Sequence, residues 1–325
     1  MKYWKVFIGK LALGCGVLAG GPVWAEAAVD YPSKPVTVIV PFSAGGGTDA
    51  TVRVFAKYFE KITGQSMVVD NRPGGGTLVG AAALKSRPAD GYTLGVLTRA
   101  LHVGYWLNKD TTQIDPLKDF TYIAATHGSV FGLLANSNGG VTTVEDVIKA
   151  ARENPGKISI GNIGVGTTHH LVGLELASMA GIDVLHIPYK GEADSNAAVM
   201  GGHVDLGVSS GSFIPLVQGG KLKVIALALQ ERLPEYPDWP TFKELGHDIE
   251  VSTLVGLGGP ADMDPALVER IDGIVREITS DPGFREDLMR LYQPVTYVGH
   301  EAYTTSQVEQ NRKELELMKK HGLIK

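Results

Sequence analysis

Two stretches of this sequence bring glycines, hydroxyl residues and a helix start together in the order that anion binding by backbone groups requires. The first is Pro41-Phe42-Ser43-Ala44-Gly45-Gly46-Gly47-Thr48-Asp49, which follows the apolar run Val36 to Val40. The second is Gly161-Asn162-Ile163-Gly164-Val165-Gly166-Thr167-Thr168, which follows Ile158 to Ile160. Each reads as a strand, a glycine-rich loop and a helix N-terminus. Such loops let backbone N–H groups point at a ligand, and the helix end adds roughly half a positive charge. Together they hold an anion without any basic side chain. Ser43, Thr48, Thr167 and Thr168 add hydroxyl donors, and His169 stands where it can donate to the same anion. Two ordinary tight turns would look alike, but the repetition, with hydroxyls both times, favours a binding site.

Other chemistry fits less well. A P-loop needs Lys and then Ser or Thr after its last glycine, whereas Gly47 is followed by Thr48-Asp49. The dinucleotide fingerprint needs a third glycine, and after Gly164-x-Gly166 that place holds His169. Gly207-Val208-Ser209-Ser210-Gly211 matches the G-x-S-x-G nucleophile elbow of hydrolases, with His247 and His300 downstream. An elbow opens straight into a long helix, and here Phe213-Ile214-Pro215 and Gly219-Gly220 leave barely two turns. A secreted α/β hydrolase with Ser209 as nucleophile is the alternative reading. His169 and His170 are adjacent, and neighbouring helix positions point in different directions, so they do not form a metal-ligand pair. No metal and no cofactor is expected.

The elements that position these loops follow from periodicity. Val36 to Val40 reads as a strand apolar on both faces, as a parallel sheet requires. Thr48 to Thr63 reads as a helix whose buried stripe is Val52, Phe55, Phe59 and Ile62. Strands are expected at Met67 to Val69, Tyr92 to Leu97, Phe120 to Ala125, Val130 to Ala135, Lys157 to Gly161, Val184 to Ile187, Val204 to Val208 and Val224 to Leu229. Helices are expected at Thr77 to Ser86, Thr168 to Ala180, Asp264 to Thr279, Phe284 to Leu291 and Glu301 to Lys320. Another helix opens at a capping box, Thr142-Thr143-Val144-Glu145. This alternation predicts α/β sheets with helices on both faces. No internal repeat and no low-complexity linker marks a domain boundary.

Composition narrows the class. The chain has 325 residues, 44% hydrophobic and 20% charged, which excludes intrinsic disorder. The net charge of −5 argues against a nucleic-acid partner. Lys2, Lys5 and Lys10, then the small, apolar run Leu11 to Gly21, then Val23-Trp24-Ala25, have the order of a cleavable secretory signal peptide over residues 1–25. The mature chain is expected to begin at Glu26 or Ala28. Cleavage after Ala25 takes the basic residues from 30 to 27 against 35 acidic, a net of −8. It also removes Cys15, the only cysteine. In Ala12-Leu13-Gly14 before it, the large Leu13 suits a lipidation site poorly, and a chain without thiols suits an oxidising compartment such as the periplasm. Phe120 to Val144 lacks Asp, Glu, Lys and Arg but is interrupted by polar residues and glycines, so it is not a membrane span.

The chain resembles the extracytoplasmic solute receptors of the tripartite tricarboxylate transporters, the Bug or TctC family. The matching stretches are Tyr31-Pro32-Ser33-Lys34-Pro35, the Pro41 to Asp49 loop, Asn71-Arg72-Pro73-Gly74, Asp90-Gly91-Tyr92-Thr93-Leu94, Asp115-Pro116-Leu117-Lys118-Asp119-Phe120, Gly164 to Leu171, and His186-Ile187-Pro188-Tyr189-Lys190-Gly191. Gly201-Gly202-His203-Val204-Asp205 and Gly219-Gly220-Lys221-Leu222 continue the series. The resemblance implies a two-lobed periplasmic binding protein of type II-like fold, each lobe a mostly parallel sheet flanked by helices. Lobe I is expected over residues 28–127 plus 247–325 and lobe II over 128–246. It implies ligand contacts from Phe42 to Asp49, from Gly164 to His169, and from Tyr189, Lys190 and Gly191. Three departures stand out. Leu254-Val255 replace a frequent aromatic pair, Val208-Ser209-Ser210 replace a Phe-Asp-Asn-like stretch, and Arg99 replaces a small or hydroxyl residue.

The reading is a non-catalytic, monomeric periplasmic receptor for a small organic mono- or dicarboxylate, delivering it to the membrane subunits of a tripartite tricarboxylate-type transporter. A sensor with the same ligand chemistry is the third possibility. Ser209 and Ser210 are expected in the cleft. Arg99, in the loop after a strand of the first sheet, is expected to hold a second carboxylate of the ligand with two parallel hydrogen bonds, the plain alternative being a solvated Arg or one paired with a nearby acid.

Overall fold

The computed structural model describes residues 30–189, 191–251 and 253–325. The expected signal peptide, the expected start of the mature chain at Glu26 or Ala28, Cys15 and Lys190 lie outside the described residues.

The first sheet is built from β1 (Val36–Val40), β2 (Met67–Asn71), β3 (Thr93–Leu97), β4 (Phe120–Ser129), β10 (Thr253–Pro260) and β11 (Val295–Val298), in the order β11-β4-β10-β3-β1-β2. The second is built from β5 (Phe131–Asn136), β6 (Ser159–Asn162), β7 (Leu185–Pro188), β8 (Leu206–Ser210) and β9 (Leu222–Leu227), in the order β7-β6-β8-β5-β9. The helices are α1 (Gly47–Thr63), α2 (Leu78–Lys85), α3 (Arg99–Leu107), α4 (Val144–Glu153), α5 (Thr168–Ala180), α6 (Glu192–Met200), α7 (Ile214–Gln218), α8 (Pro265–Ser280), α9 (Pro282–Arg290) and α10 (His300–Lys320).

Both sheets repeat one plan. A central strand pairs in parallel with two neighbours: β1 with β2 and β3, and β6 with β7 and β8. The next strand then returns antiparallel, β10 beside β3 and β5 beside β8. The α/β class is the expected one, but the sheets are mixed rather than mostly parallel, the parallel pairs being confined to the trio that carries each glycine-rich loop. The chain passes from the first sheet to the second at Val130, between β4 and β5. It returns before Thr253, because Ile249 and Val251 still pack in the second sheet's core. Both points lie a few residues beyond the expected 127/128 and 246/247.

Strand alternation divides each core between two faces. Val36, Val38 and Val40 point to one face with Val52, Phe55 and Phe59 of α1 and Ile271 and Val275 of α8. Ile39 points to the other, with Leu84, Leu101 and Tyr303. In α1 the buried stripe is Val52, Phe55, Tyr58 and Phe59, with Ile62 only half-buried. Phe284 of α9 meets Phe55 and Tyr58 edge-on at 6.1 and 5.5 Å between ring centroids.

The cap of α4 sits one residue later than expected. Thr143, not Thr142, is the N-cap: its hydroxyl accepts from the Asp146 amide at 3.1 Å, and the Asp146 carboxylate accepts from the Thr143 amide at 3.0 Å. The Asp carboxylate is just long enough to reach back at this register. Thr143→Ala is therefore expected to cost about 1 kcal/mol and Thr142→Ala less, as chemical denaturation would measure. The reverse order would restore Thr142 as the cap.

Candidate functional site

The first loop leaves β1 at its carboxyl end and opens α1. Gly45 takes φ +81°, which glycine adopts at little cost. Ser43 to Gly47 are exposed, Phe42 and Thr48 are half-buried and Asp49 is buried. The first intrahelical bond runs from the Ala50 amide to Gly46 O at 2.9 Å, so the amides of Gly47, Thr48 and Asp49 precede any helical partner. No side chain caps this helix start. Gly47 is exposed and Thr48 half-buried, so these two amides lie at the surface of the loop. Asp49 does not belong with them. Its carboxylate accepts from Gly45 N (2.8 Å), Arg53 Nε (2.9 Å) and Asn71 Nδ2 (3.0 Å). The Arg53 hydrogen bond holds its pKa down at about 2 despite burial. Expected as a ligand contact, Asp49 is instead the pin that fixes the loop.

The second loop leaves β6 in the same way, but several of its donors are spent internally. The Gly164 amide donates to Asn162 Oδ1 at 2.9 Å and the Gly166 amide to His170 Nδ1 at 3.2 Å. The Thr167 hydroxyl donates to Gly164 O at 2.7 Å and accepts from the His170 amide at 3.3 Å, so Thr167 is the N-cap of α5. A backbone cradle at Gly164 and Gly166 is thus corrected: both glycines are needed for φ of +120° and +76° rather than for free N–H groups. The amides of Thr168 and His169 keep the helix-start position. Val165 is the exposed tip, at 62%.

A residue that sequence reading missed dominates the second sheet's end. Glu192, first residue of α6, follows Gly191 and lies against the carboxyl end of β8. Its Oε1 accepts from His169 Nε2 (2.6 Å), the Ser210 amide (3.0 Å) and the Ser210 hydroxyl. Its Oε2 accepts from Ser209 (3.1 Å) and from the Ser212 hydroxyl. Burial alone would push the carboxyl up, but the hydrogen bonds from His169, Ser210 and Ser212 outweigh it and hold it below its usual value. Buried Asn196 backs the cluster, donating to Ser209 Oγ at 3.2 Å. The only hint in the sequence was an acid directly after the Tyr189 to Gly191 stretch.

Arg99 is not in a loop. It opens α3 and is 4% exposed. Its guanidinium forms a two-pronged ion pair with Glu314 of α10, through Nε to Oε1 and Nη2 to Oε2 (2.6 Å). Its third edge donates from Nη1 to the Thr168 hydroxyl at 2.5 Å. The expected free cation is therefore corrected: Glu314 neutralises it, and it ties α3 to the start of α5. The same junction is close-packed, since a Cβ on Gly166 would come within 3.0 Å of Leu107 and 3.2 Å of Val103. Among the described residues no hydrogen bond joins the Phe42 to Asp49 loop to the Gly164 to His169 loop. Thr77 and Thr98, also missed, border a small cavity with Pro41 and Leu101, and their hydroxyls have no partner among the described residues.

Ser209 as a nucleophile is corrected as well. It is fully buried within β8, and its hydroxyl partners are Glu192, Asn196 and Ser212, none of them a histidine base. His300 bonds Tyr122 O instead, at 2.6 Å. Tyr189 is half-buried, its amide donating to Asn162 O at 2.8 Å. Among the described residues no group of three or more His, Cys, Asp or Glu side chains is arranged to hold a metal ion, and no helix is long and apolar enough to cross a membrane.

Comparison with known proteins agrees with this fold. A UPF0065 protein of Cupriavidus necator is 34% identical over 98% of both chains. A Rhodopseudomonas palustris protein solved with adipate is 27% identical, with a TM-score of 0.79 over 90% of this chain and 99% of that one. The periplasmic binding protein BugD is 27% identical, with a TM-score of 0.76 over the same shares. The profile of the tripartite tricarboxylate transporter family receptors matches residues 51–323. This chain belongs to that family, whose members are solute-binding receptors rather than enzymes.

Proposed function

We propose that this protein is a periplasmic receptor that binds a small organic carboxylate and delivers it to the membrane subunits of a tripartite tricarboxylate-type transporter. The two sheets with their helices would be the two lobes, closing by a hinge at the two crossovers. The observation that carries this reading is the uncapped start of α1, with the amides of Gly47 and Thr48 at the exposed carboxyl end of β1. In α/β sheets ligands gather at such strand ends, and a carboxylate is what surface amides and a helix N-terminus hold best. Adipate in the R. palustris relative supports the ligand class. Phe42 to Thr48 would form the first wall, and Val165, Thr168, His169, Tyr189 to Gly191 and Ser210 the second. Arg99 would act indirectly, by orienting Thr168.

Gly47 allows a clean test. It is the first helical residue, where proline is tolerated, and Gly46 before it is extended at φ −79°, ψ 169°, as a residue preceding proline must be. A Cβ at Gly47 meets nothing within 4 Å. Gly47→Pro removes one donor and should leave the melting temperature nearly unchanged. A hydrogen bond to a charged group contributes about 1.5–3 kcal/mol, so calorimetry should record a loss of roughly 10- to 150-fold in carboxylate affinity. Gly47→Ala keeps the N–H and should bind as the parent does. Equal affinities for all three proteins would remove the backbone site.

A further inference from the structure

α5 and α10 belong to different sheets yet lie side by side. α10 packs on β4 of the first sheet and on α3, while α5 packs on β5, β6 and β8 of the second. Two polar links join them. At the start of α5 the Thr168 hydroxyl accepts from Arg99, which is itself paired with Glu314 of α10. Farther along, Lys320 Nζ donates to both carboxylate oxygens of Glu175 in α5, at 3.0 and 3.1 Å, and His321 Nε2 lies 2.6 Å from Glu175 Oε1. Thr168 and Glu175 are seven residues apart, and so are Glu314 and His321. Seven residues make about two helical turns. Both links therefore fall on one face of each helix, and the helices run in the same direction along one seam. The end of α10 is closed by the Gly322 amide on Lys319 O at 3.0 Å and the Leu323 amide on Met318 O at 2.9 Å, which fixes the place of His321.

The seam lies away from the crossovers. β5 takes the chain in from Val130, and β6, which leads into α5, stands two strands from it with β8 between. At about 4.8 Å per strand, that is roughly 10 Å. A hinge rotation at the crossover carries α5 past α10 and must part the seam. The outer link is suited to parting. The Lys320 side chain is 47% exposed, against 17% for Glu175 and 7% for His321, so water reaches one rim of the link and can replace each partner. Such a link biases an equilibrium without locking it. Resting on the two-lobed carboxylate-receptor reading above, we infer that the seam is a clasp between the lobes, formed when they close on the ligand and parted when they open, with Glu175 as its latch. Glu175 is then a positioning residue. It sets carboxylate affinity without touching the ligand, through the fraction of the protein already closed.

Small-angle scattering and binding kinetics decide this on the chain from Glu26 onward, which contains no cysteine. The probes are straight-chain mono- and dicarboxylates of three to eight carbons. Glu175→Gln keeps the shape and removes the charge. Its ligand-free radius of gyration should exceed the parent's, and its affinity for the tightest-binding probe should fall roughly 2- to 5-fold. In Glu175→Cys with Lys320→Cys, a short cleavable bis-maleimide linker takes the latch's place. Bridged around the probe, the protein should release it about tenfold or more slowly than the unbridged double variant, as a held lid does. Bridged empty, it should take the probe up more slowly by a similar factor, and cleaving the linker should restore both rates. Unchanged rates on bridging, or an unchanged radius and affinity in Glu175→Gln, overturn the inference and leave the carboxylate reading intact. Binding of none of the probes by the parent overturns the carboxylate reading, and the radius of ligand-free Glu175→Gln then decides the clasp. Should Glu175→Gln not fold, the bridging rates decide alone.

Discussion

Glu314→Ala is expected to lower folding stability by about 3–5 kcal/mol, the usual cost of removing one partner from a buried ion pair. The Arg99 and Glu314 side chains are 5% and 1% exposed, so a stranded guanidinium has no water to turn to. Gln310 also loses its acceptor. Removing both charges is a different matter, because two well-packed apolar side chains can replace a buried pair at little cost. Arg99→Met with Glu314→Leu should therefore recover most of the loss. Chemical denaturation of the three proteins tests this, and a Glu314→Ala cost below 1 kcal/mol would show that the pair is not desolvated. Any affinity change on Arg99→Ala needs this stability control before it is assigned to the ligand.

The second large effect is acid sensitivity well above the carboxylate range. Burial pushes His127 down to about 4, and burial with neighbouring His186 and His321 does the same for His170. The unfolded chain protonates its histidines near pH 6.5. Between about pH 6.5 and 4 the unfolded state then binds more protons, so stability falls as pH is lowered through that window. For His127 alone, 2.5 pH units at 1.36 kcal/mol each is on the order of 3 kcal/mol. Asp49 acts lower down: its depressed pKa gives stability that is complete above about pH 4 and is lost as pH falls towards 2. Urea titrations at pH 7 and pH 4.5 should separate the two. His127→Gln should flatten the slope between them, and parallel curves for parent and variant would show that His127 is not the source.

The loops were legible because glycine, hydroxyl and helix-start signals are local. The fate of their donors was not. Whether the Gly166 amide faces a ligand or His170 depends on a turn whose geometry no pattern of residue types fixes. Arg99 meets Glu314 across 215 residues of sequence, and no local signal links them. α3 reads as loop in the sequence because nine residues, Arg99 to Leu107, are too few to show a helical period. α6 escaped for the opposite reason: Glu192 to Met200 has almost no apolar stripe, and Glu192 escaped with it. The cap of α4 slipped by one residue because Thr142 and Thr143 compete, and only the short reach of Asp146 decides between them.

The order of strands also governs how the molecule is made. β10 lies between β3 and β4 in the first sheet, yet it begins at Thr253, after the whole of the second sheet. A chain emerging N-terminus first completes β5 to β9 while β3 and β4 still wait with unpaired edges. Such edges template wrong pairings. The first sheet therefore closes last, though it starts first, and every intermediate up to Pro260 carries an open slot at its centre.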